Sequence, residues 1–167
     1  LYEASLREDR RTIALTLLRA TAREVQNEVH DGGQVLGQHT FNLALRFTPN
    51  LPQAGELWNR WLAFRAGIRA VQVERMSGEL GVRHGFVEVC GENLVLSALR
   101  PSQGGIILRL FNPSGEPARG RVKLAGGISQ AKHCTLNEEI GADLPLNRAG
   151  ELELALEPKK IITVWIA

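Results

Sequence analysis

The chain has 167 residues, of which 44% are hydrophobic and 23% are charged, with a formal net charge of +2 at pH 7. This composition is typical of one globular domain or two small ones, and it excludes disordered and fibrous proteins. Arginine and lysine are spread along the chain without basic blocks, so we expect no nucleic-acid partner. No stretch approaches the roughly 18 consecutive apolar residues of a membrane span, so we expect no membrane partner either.

The cysteines and the first residues bear on the cellular setting. Cys90 and Cys134 are the only cysteines, and they are too few and too far apart for a disulfide framework. We therefore expect a reducing, cytoplasmic location. The chain starts with Leu-Tyr-Glu, which already alternates like a strand, and its only methionine is Met76. This indicates a chain that begins inside a longer protein.

Strands dominate the first part of the chain. Three are predicted before residue 48, at residues 2–7, 12–18 and 40–47. The first two flank four polar residues, which indicates a hairpin with a charged tip, and the polar residues 21–30 are predicted to cross the surface. The third strand has the clearest alternation, with one face formed by Phe41, Leu43, Leu45 and Phe47.

One helix is predicted, over residues 55–66, followed by a strand at residues 68–73. Its apolar stripe has the spacing of an amphipathic helix and consists of Leu57, Trp61, Phe64 and Ile68. Trp58 and Trp61 offer two interpretations, a sugar-stacking platform or core packing. Aromatic residues at helical spacing favour the core.

The second half of the chain predicts a β-sandwich. Residues 93–100 and 106–111 are two apolar runs joined by Pro-Ser-Gln-Gly-Gly, as expected for a buried hairpin. The predicted strands of this half, including the two of the hairpin, are residues 86–90, 93–99, 106–111, 118–124, 128–136, 151–157 and 161–166. Short strands with regular turns are typical of an antiparallel sandwich. Two charged rows are interpreted as solvated faces: Arg119, Arg121 and Lys123, and Glu151, Glu153 and Glu157.

No catalytic or metal-binding residue is predicted. The four histidines, His30, His39, His84 and His133, share no short metal-ligand spacing with each other or with a cysteine. Glu8 with Asp9 and Glu138 with Glu139 supply adjacent carboxylates. Neighbouring residues of a strand point to opposite sides, so these pairs are interpreted as turn residues.

Five stretches in order resemble the C-terminal β region of bacterial α-mannosidases of glycoside hydrolase family 38. They are residues 1–3 (LYE), 13–19 (IALTLLR), 36–41 (LGQHTF), 93–101 (NLVLSALRP) and 107–113 (ILRLFNP). The resemblance implies a galactose mutarotase-like or supersandwich tail. Residues 1–80 are then the end of a large β-sandwich domain with one helix, and residues 81–167 a C-terminal sandwich that packs with it.

The resemblance also implies a function for the parent protein. Enzymes of this family are similar to retaining glycosidases, with an aspartate nucleophile and a zinc ion in an N-terminal barrel that has no counterpart here. We therefore expect this chain alone to be inactive and free of cofactors, with its own N-terminal catalytic domain and the parent's α-mannoside as partners. A homo-oligomer is compatible with the sequence.

One residue is expected to reach the parent's sugar pocket. Relatives use an arginine from this region, and Arg19 occupies a similar place after the second strand, with Arg10 and Arg11 as alternatives. The competing interpretation is an exposed strand-end arginine.

A different function also stays open, a stand-alone carbohydrate- or protein-binding sandwich. The small number of aromatic residues (five Phe, three Trp and one Tyr) favours the supporting role.

Overall fold

The computed structural model describes residues 3–21, 31–75, 77–102 and 104–167, and the chain forms two compact units, Leu1–Arg46 and Phe47–Ala167. Within the described residues the elements are β1 (Glu3–Leu6), β2 (Ile13–Thr16), a 3-10 turn (Asp31–Gln34), α1 (Ala54–Ala66), β3 (Val87–Cys90), β4 (Val95–Ser102), β5 (Gly105–Phe111), β6 (Ala118–Leu124), β7 (Ala131–Cys134), β8 (Ile140–Leu144), β9 (Leu152–Leu156) and β10 (Ile161–Ile166). None of the helices in these ranges is both long and apolar enough to cross a membrane.

The first unit contains the predicted hairpin. Strands β1 and β2 pair antiparallel, with Leu6 opposite Ile13. Asp9 organises the tip, because its carboxylate accepts hydrogen bonds from the backbone N–H groups of Arg11 and Thr12 and from the Thr12 hydroxyl at 2.6 Å. The polar tip is therefore a hydrogen-bonded turn, as the pattern predicted.

The second unit contains an antiparallel β-sandwich, which confirms the predicted fold class. One sheet has the strand order β4-β5-β10-β7-β8 and the other has the order β3-β6-β9. Both sheets place alternate residues in the core between them. Its buried members include Leu108, Leu110, Val122, Leu152, Leu154, Leu156, Val164 and Ile166. Burial of this apolar surface is the main stabilising contribution to the unit.

The hairpin β4–β5 forms as the sequence predicted. Ser102 pairs with Gly105 next to the turn, and Gly104 there has a φ of 76°. The second run ends at Asn112, whose fully buried amide donates to the carbonyl oxygens of Glu116, Leu156 and Glu157. Its side-chain oxygen accepts from the Ser114 hydroxyl at 2.7 Å. A buried amide with all its partners thus ends the strand.

Helix α1 also forms where it was predicted. Its start is fixed to the sandwich by a hydrogen bond from the Gly55 N–H to Asn93 Oδ1 at 2.9 Å. A Cβ at Gly55 would lie 2.6 Å from the Asn93 Cα, so a glycine is required there. Gly67, with a φ of 67°, ends the helix and donates its N–H to the Ala63 carbonyl oxygen.

The prediction that the apolar stripe of α1 is core was wrong. Leu57, Trp58, Trp61 and Phe64 are 41–48% exposed, and Ile68 is 98% exposed. Within the described parts of the chain, α1 packs on β4, and Trp58 contacts Phe111. Because α1 contacts the sandwich along only one side, the rest of its apolar stripe is not covered by the described residues.

Two predicted strands are absent from the described chain. Residues 40–47 and 68–73 are assigned to no strand, because alternation alone cannot form a ladder without a neighbouring strand. Conversely, β8 was not predicted, since its residues are mostly exposed and show no alternation of burial. The predicted strand at 128–136 is shortened to β7.

Two further predictions are not tested by the described residues. Residues 22–30 of the predicted surface excursion, with His30, lie outside the described residues. The division into residues 1–80 and 81–167 stays a prediction. Helix α1 belongs to the same compact unit as the sandwich.

Candidate functional site

The arginines proposed for sugar binding are all exposed and lie in the first unit. Arg19 follows β2, three residues after its end, and Arg10 and Arg11 lie at the hairpin tip. Arg10 has a φ of 53°, which the turn imposes on it. The assignment of Arg19 to a sugar pocket stays a prediction.

The histidines have separate local roles. The Nε2 of His39 lies 2.7 Å from the Val35 carbonyl oxygen, where a ring N–H can donate. His84 packs edge-on against Phe86 at 4.8 Å between ring centroids, and His133 is exposed on β7. In the part of the chain that the structure describes, no three His, Cys, Asp or Glu side chains form a group that could hold a metal.

Glu138 connects the β7–β8 turn to the opposite edge of the five-stranded sheet. Its carboxylate pairs with Arg100 of β4, and also with Arg109 of β5 at 3.5 Å. Arg109 donates further to Thr163 Oγ1 and to the Leu136 carbonyl oxygen, each at 3.0 Å. Glu138 has a φ of 70°, which is unfavourable for a residue with a Cβ. Its ion pairs are a reason why glutamate occupies this turn position, and they leave its carboxylate committed to structure.

A second charged cluster lies on the three-stranded sheet. Glu151 is only 7% exposed, and its carboxylate is 3.1 Å from Lys123 Nζ and 3.5 Å from Arg121 Nε. Hydrogen bonds from Lys123 and Asn147 lower the pKa of Glu151 below its ordinary value. In turn, Glu151 raises the pKa of Lys123. The interpretation of this row as a solvated face was wrong at Glu151, which is a buried ion-pair partner.

Arg121 links this cluster to strand β3. The Cys90 side chain, and next Glu151, raise the pKa of Arg121. The Cys90 thiol itself lies 3.2 Å from Glu88 Oε1, to which it can donate. Both cysteines are free thiols. Glu151 is thus paired with both Lys123 and Arg121, which is typical of a structural network.

A shallow polar concavity of about 520 Å³ lies beside α1, next to the turn that carries Asn93. Two of its charged groups are paired with each other, because Arg60 Nε donates to Glu56 Oε1 at 2.7 Å. The Asn93 side chain is also engaged by the Gly55 N–H.

An exposed apolar feature of the second unit is formed by Leu57, Trp61 and Phe64, here called the α1 apolar surface. These side chains are 45–48% exposed. Trp58 anchors the surface, because its ring meets Phe111 and Trp61 edge-on at 5.3 Å in each case. An apolar patch that is held in place but uncovered is typical of a protein–protein contact.

The geometry of the two tryptophans argues against sugar stacking. Their ring planes are inclined at 87°, so they do not form a continuous flat platform. The Arg65 guanidinium lies over the Trp61 ring at 5.4 Å from its centroid and occupies one face of it. The sequence predicted the helix and its stripe, but their exposure depends on which elements pack nearby and was missed.

Comparison with known families identifies the sandwich. Residues 93–164 match the family model described as the glycosyl hydrolases family 38 C-terminal beta sandwich domain. The match covers 72 of the 167 residues. The matched range starts at Asn93, which holds α1, and extends from β4 to near the end of β10, so strand β3 of the sandwich precedes it. No curated protein and no solved structure matches the chain significantly.

The match confirms the resemblance seen in the sequence over two of its five stretches, residues 93–101 and 107–113. The three earlier stretches lie outside the matched range. The α1 apolar surface also precedes the family 38 sandwich in the chain. It is tied to that sandwich through Asn93 and Phe111, which both lie within the match.

Proposed function

We propose that the chain is the non-catalytic C-terminal β region of a family 38 α-mannosidase, and that it supports the catalytic part of the same enzyme. The observation that carries this proposal is the α1 apolar surface, which is fixed to a family 38 sandwich and left half-exposed. A C-terminal domain of a hydrolase has one obvious neighbour for such a surface, the preceding part of the polypeptide.

The energy available from covering this surface is substantial. An aromatic side chain has about 150 to 250 Å² to bury, and each Å² contributes about 25 cal/mol. Covering the exposed half of Trp61 or Phe64 therefore contributes roughly 2 kcal/mol per side chain. Two or three such residues suffice to hold a domain against a covalently linked neighbour.

The finer features of the parent enzyme follow the same proposal. Its substrate is an α-mannoside, its zinc ion is bound by the catalytic part, and its location is cytoplasmic. The two free thiols are compatible with that location. Arg19 contributes one wall of the sugar pocket, where its planar guanidinium would donate to sugar hydroxyls.

The test compares the isolated chain with the intact hydrolase polypeptide that carries it. Trp61→Glu places a charge in the α1 apolar surface, and Leu136→Glu is the matched control, since Leu136 is a 60% exposed leucine in the β7–β8 turn. In the intact hydrolase, we expect Trp61→Glu to lower the melting temperature and the hydrolysis of an aryl α-mannoside, and Leu136→Glu to leave both unchanged.

In the isolated chain, Trp61→Glu should lower the free energy of unfolding by roughly 2 kcal/mol, the contribution of the half of the ring that is already covered, and in the intact hydrolase by about twice as much. The contrast between the two contexts identifies a docking contact. Equal effects of Trp61→Glu in the chain and in the intact hydrolase would contradict the supporting role.

A further inference from the structure

The outward face of the five-stranded sheet contains two residues that are buried away from the core. In β10, Val164 belongs to the core, so Thr163 next to it points to the opposite, outward face. Cys134 lies directly opposite Thr163 on β7, and directly paired residues point to the same face. Thr163 and Cys134 are nevertheless each only 2% exposed. Both are therefore covered from outside the sandwich core.

The β7–β8 turn, residues 135–139 and here called the strap, is held over this position. Arg109 of β5 donates at 3.0 Å both to Thr163 Oγ1 and to a backbone carbonyl oxygen of the strap. The Glu138 carboxylate pairs with Arg109 and also with Arg100 of β4. Since β10, β5 and β4 follow β7 in the sheet, these contacts fix the strap to strands beyond its own hairpin.

The closed strap is held against backbone strain at Glu138. Its hydrogen bonds run from the Glu138 N–H to the Thr135 carbonyl oxygen at 2.9 Å and from the Thr135 N–H to the Glu139 carbonyl oxygen at 3.1 Å. The turn gives Glu138 a φ of 70°, which glycine adopts freely and glutamate does not. The ion pairs of Glu138 oppose this strain.

We propose that the strap is a conformational device with a closed and an open state, and that Glu138 is its latch. In the closed state, one carboxylate neutralises two guanidinium groups and the strap covers Cys134. In the open state, Arg100 and Arg109 lose this carboxylate, and the outward face of the sheet becomes more positive. The Arg100 side chain is 54% exposed, so salt screens its pair with Glu138 and ionic strength favours opening. The device goes beyond the proposed function and requires no partner.

The Cys134 thiol reports the open state, and the partly exposed Cys90 is a reference in the same chain. Alkylation of each cysteine by iodoacetamide is measured by mass spectrometry in the 167-residue chain. Glu138→Gln keeps the size of the side chain and removes its charge. We expect it to accelerate alkylation of Cys134 at least about tenfold and to leave the rate of Cys90 unchanged. Glu139→Gln is the matched control, because Glu139 is bonded to Thr135 inside the turn, and it should leave both rates at the wild-type values.

Two further measurements separate the strain from the ion pairs. Glu138→Gly removes both, so Cys134 should react faster than in the wild type but more slowly than in Glu138→Gln. Raising the NaCl concentration from about 0.05 to about 1 M should accelerate alkylation of Cys134 at least about threefold in the wild type and leave Glu138→Gln unaffected.

The opposite results would overturn the proposal. Equal Cys134 rates in the wild type and in Glu138→Gln would show that Glu138 does not hold the strap. An equal acceleration of Cys90 and Cys134 would assign the effect to unfolding of the whole unit. A wild-type rate that does not respond to salt would exclude an electrostatic latch, and equal rates in Glu138→Gly and Glu138→Gln would exclude strain as the force that opens it.

Discussion

Glu151 is a carboxylate that is held ionised within the sandwich by Lys123 and Asn147. Because these contacts lower its pKa below the ordinary value of 4.5, they stabilise the folded state at all pH values above that value. This contribution is lost as the pH falls through the lowered pKa. The raised pKa of Lys123 acts in the opposite range, since its contribution is lost only as the pH rises above the ordinary value of 10.5.

Glu151→Gln should therefore flatten the acid limb of the stability curve. We expect its melting temperature to be lower than that of the wild type at pH 6 and to approach it as the pH falls well below 4.5. Glu157→Gln is the control, because Glu157 is exposed just after β9, the strand that Glu151 directly precedes. If the difference in melting temperature between the wild type and Glu151→Gln stayed constant across the acid range, it would contradict the ion-pair explanation.

Arg19 is a second test at the level of single residues. In the intact hydrolase, loss of charge-assisted hydrogen bonds in Arg19→Ala should lower kcat/KM about 10- to 100-fold while the fold persists. Arg19→Lys should restore only part of the activity, because lysine keeps the charge but not the planar fork. Unchanged kinetics in both variants, with thermal unfolding as the control, would assign Arg19 to the strand end alone.

Elements pack closely where the β3–β4 turn crosses strand β6. A Cβ at Gly120 would lie 2.1 Å from the Cys90 carbonyl oxygen and 2.5 Å from Leu94 Cδ1. The backbone oxygen belongs to the adjacent strand and cannot move without breaking the pairing of β3 with β6. The absence of a side chain at residue 120 is therefore a condition for the three-stranded sheet.

Gly120→Ala should destabilise the chain by about 3 kcal/mol, because overpacking of this kind shifts backbone rather than a flexible side chain. Gly115→Ala is the matched control. A Cβ at Gly115 meets nothing within 4 Å, and the residue is exposed. The free energy of unfolding of the Gly115→Ala variant, measured in urea, should stay within about 0.5 kcal/mol of the wild-type value. Equal stability of the two variants would show that the turn moves freely.

At the scale of the whole molecule, the chain consists of two compact units, and the structural roles of its charged residues are concentrated in the second. Arg100, Arg109 and Glu138 hold one sheet, and Lys123 and Glu151 hold the other. The first unit carries the exposed hairpin and the arginines proposed for the sugar pocket.

The purified chain should not hydrolyse aryl α-mannosides above the buffer rate, and it should bind no stoichiometric zinc. The proposed function places the nucleophile and the zinc ligands in the catalytic part. The measurements are release of the aryl group and metal content after dialysis. Turnover that a chelator abolishes would show that catalytic residues lie within these 167 residues.

The amino-acid sequence by itself determined the strands of the sandwich other than β8, the hairpin β1–β2, the helix α1 and the resemblance of residues 93–164 to family 38. These features depend on local periodicity, on turn residues and on the order of short stretches, all of which are present in the chain as written. The tertiary structure decided the burial of Glu151, the role of Glu138 and the exposure of Trp61. Residues 41–47 likewise alternate without a described partner. These outcomes depend on contacts between residues distant in sequence, and no local pattern contains them.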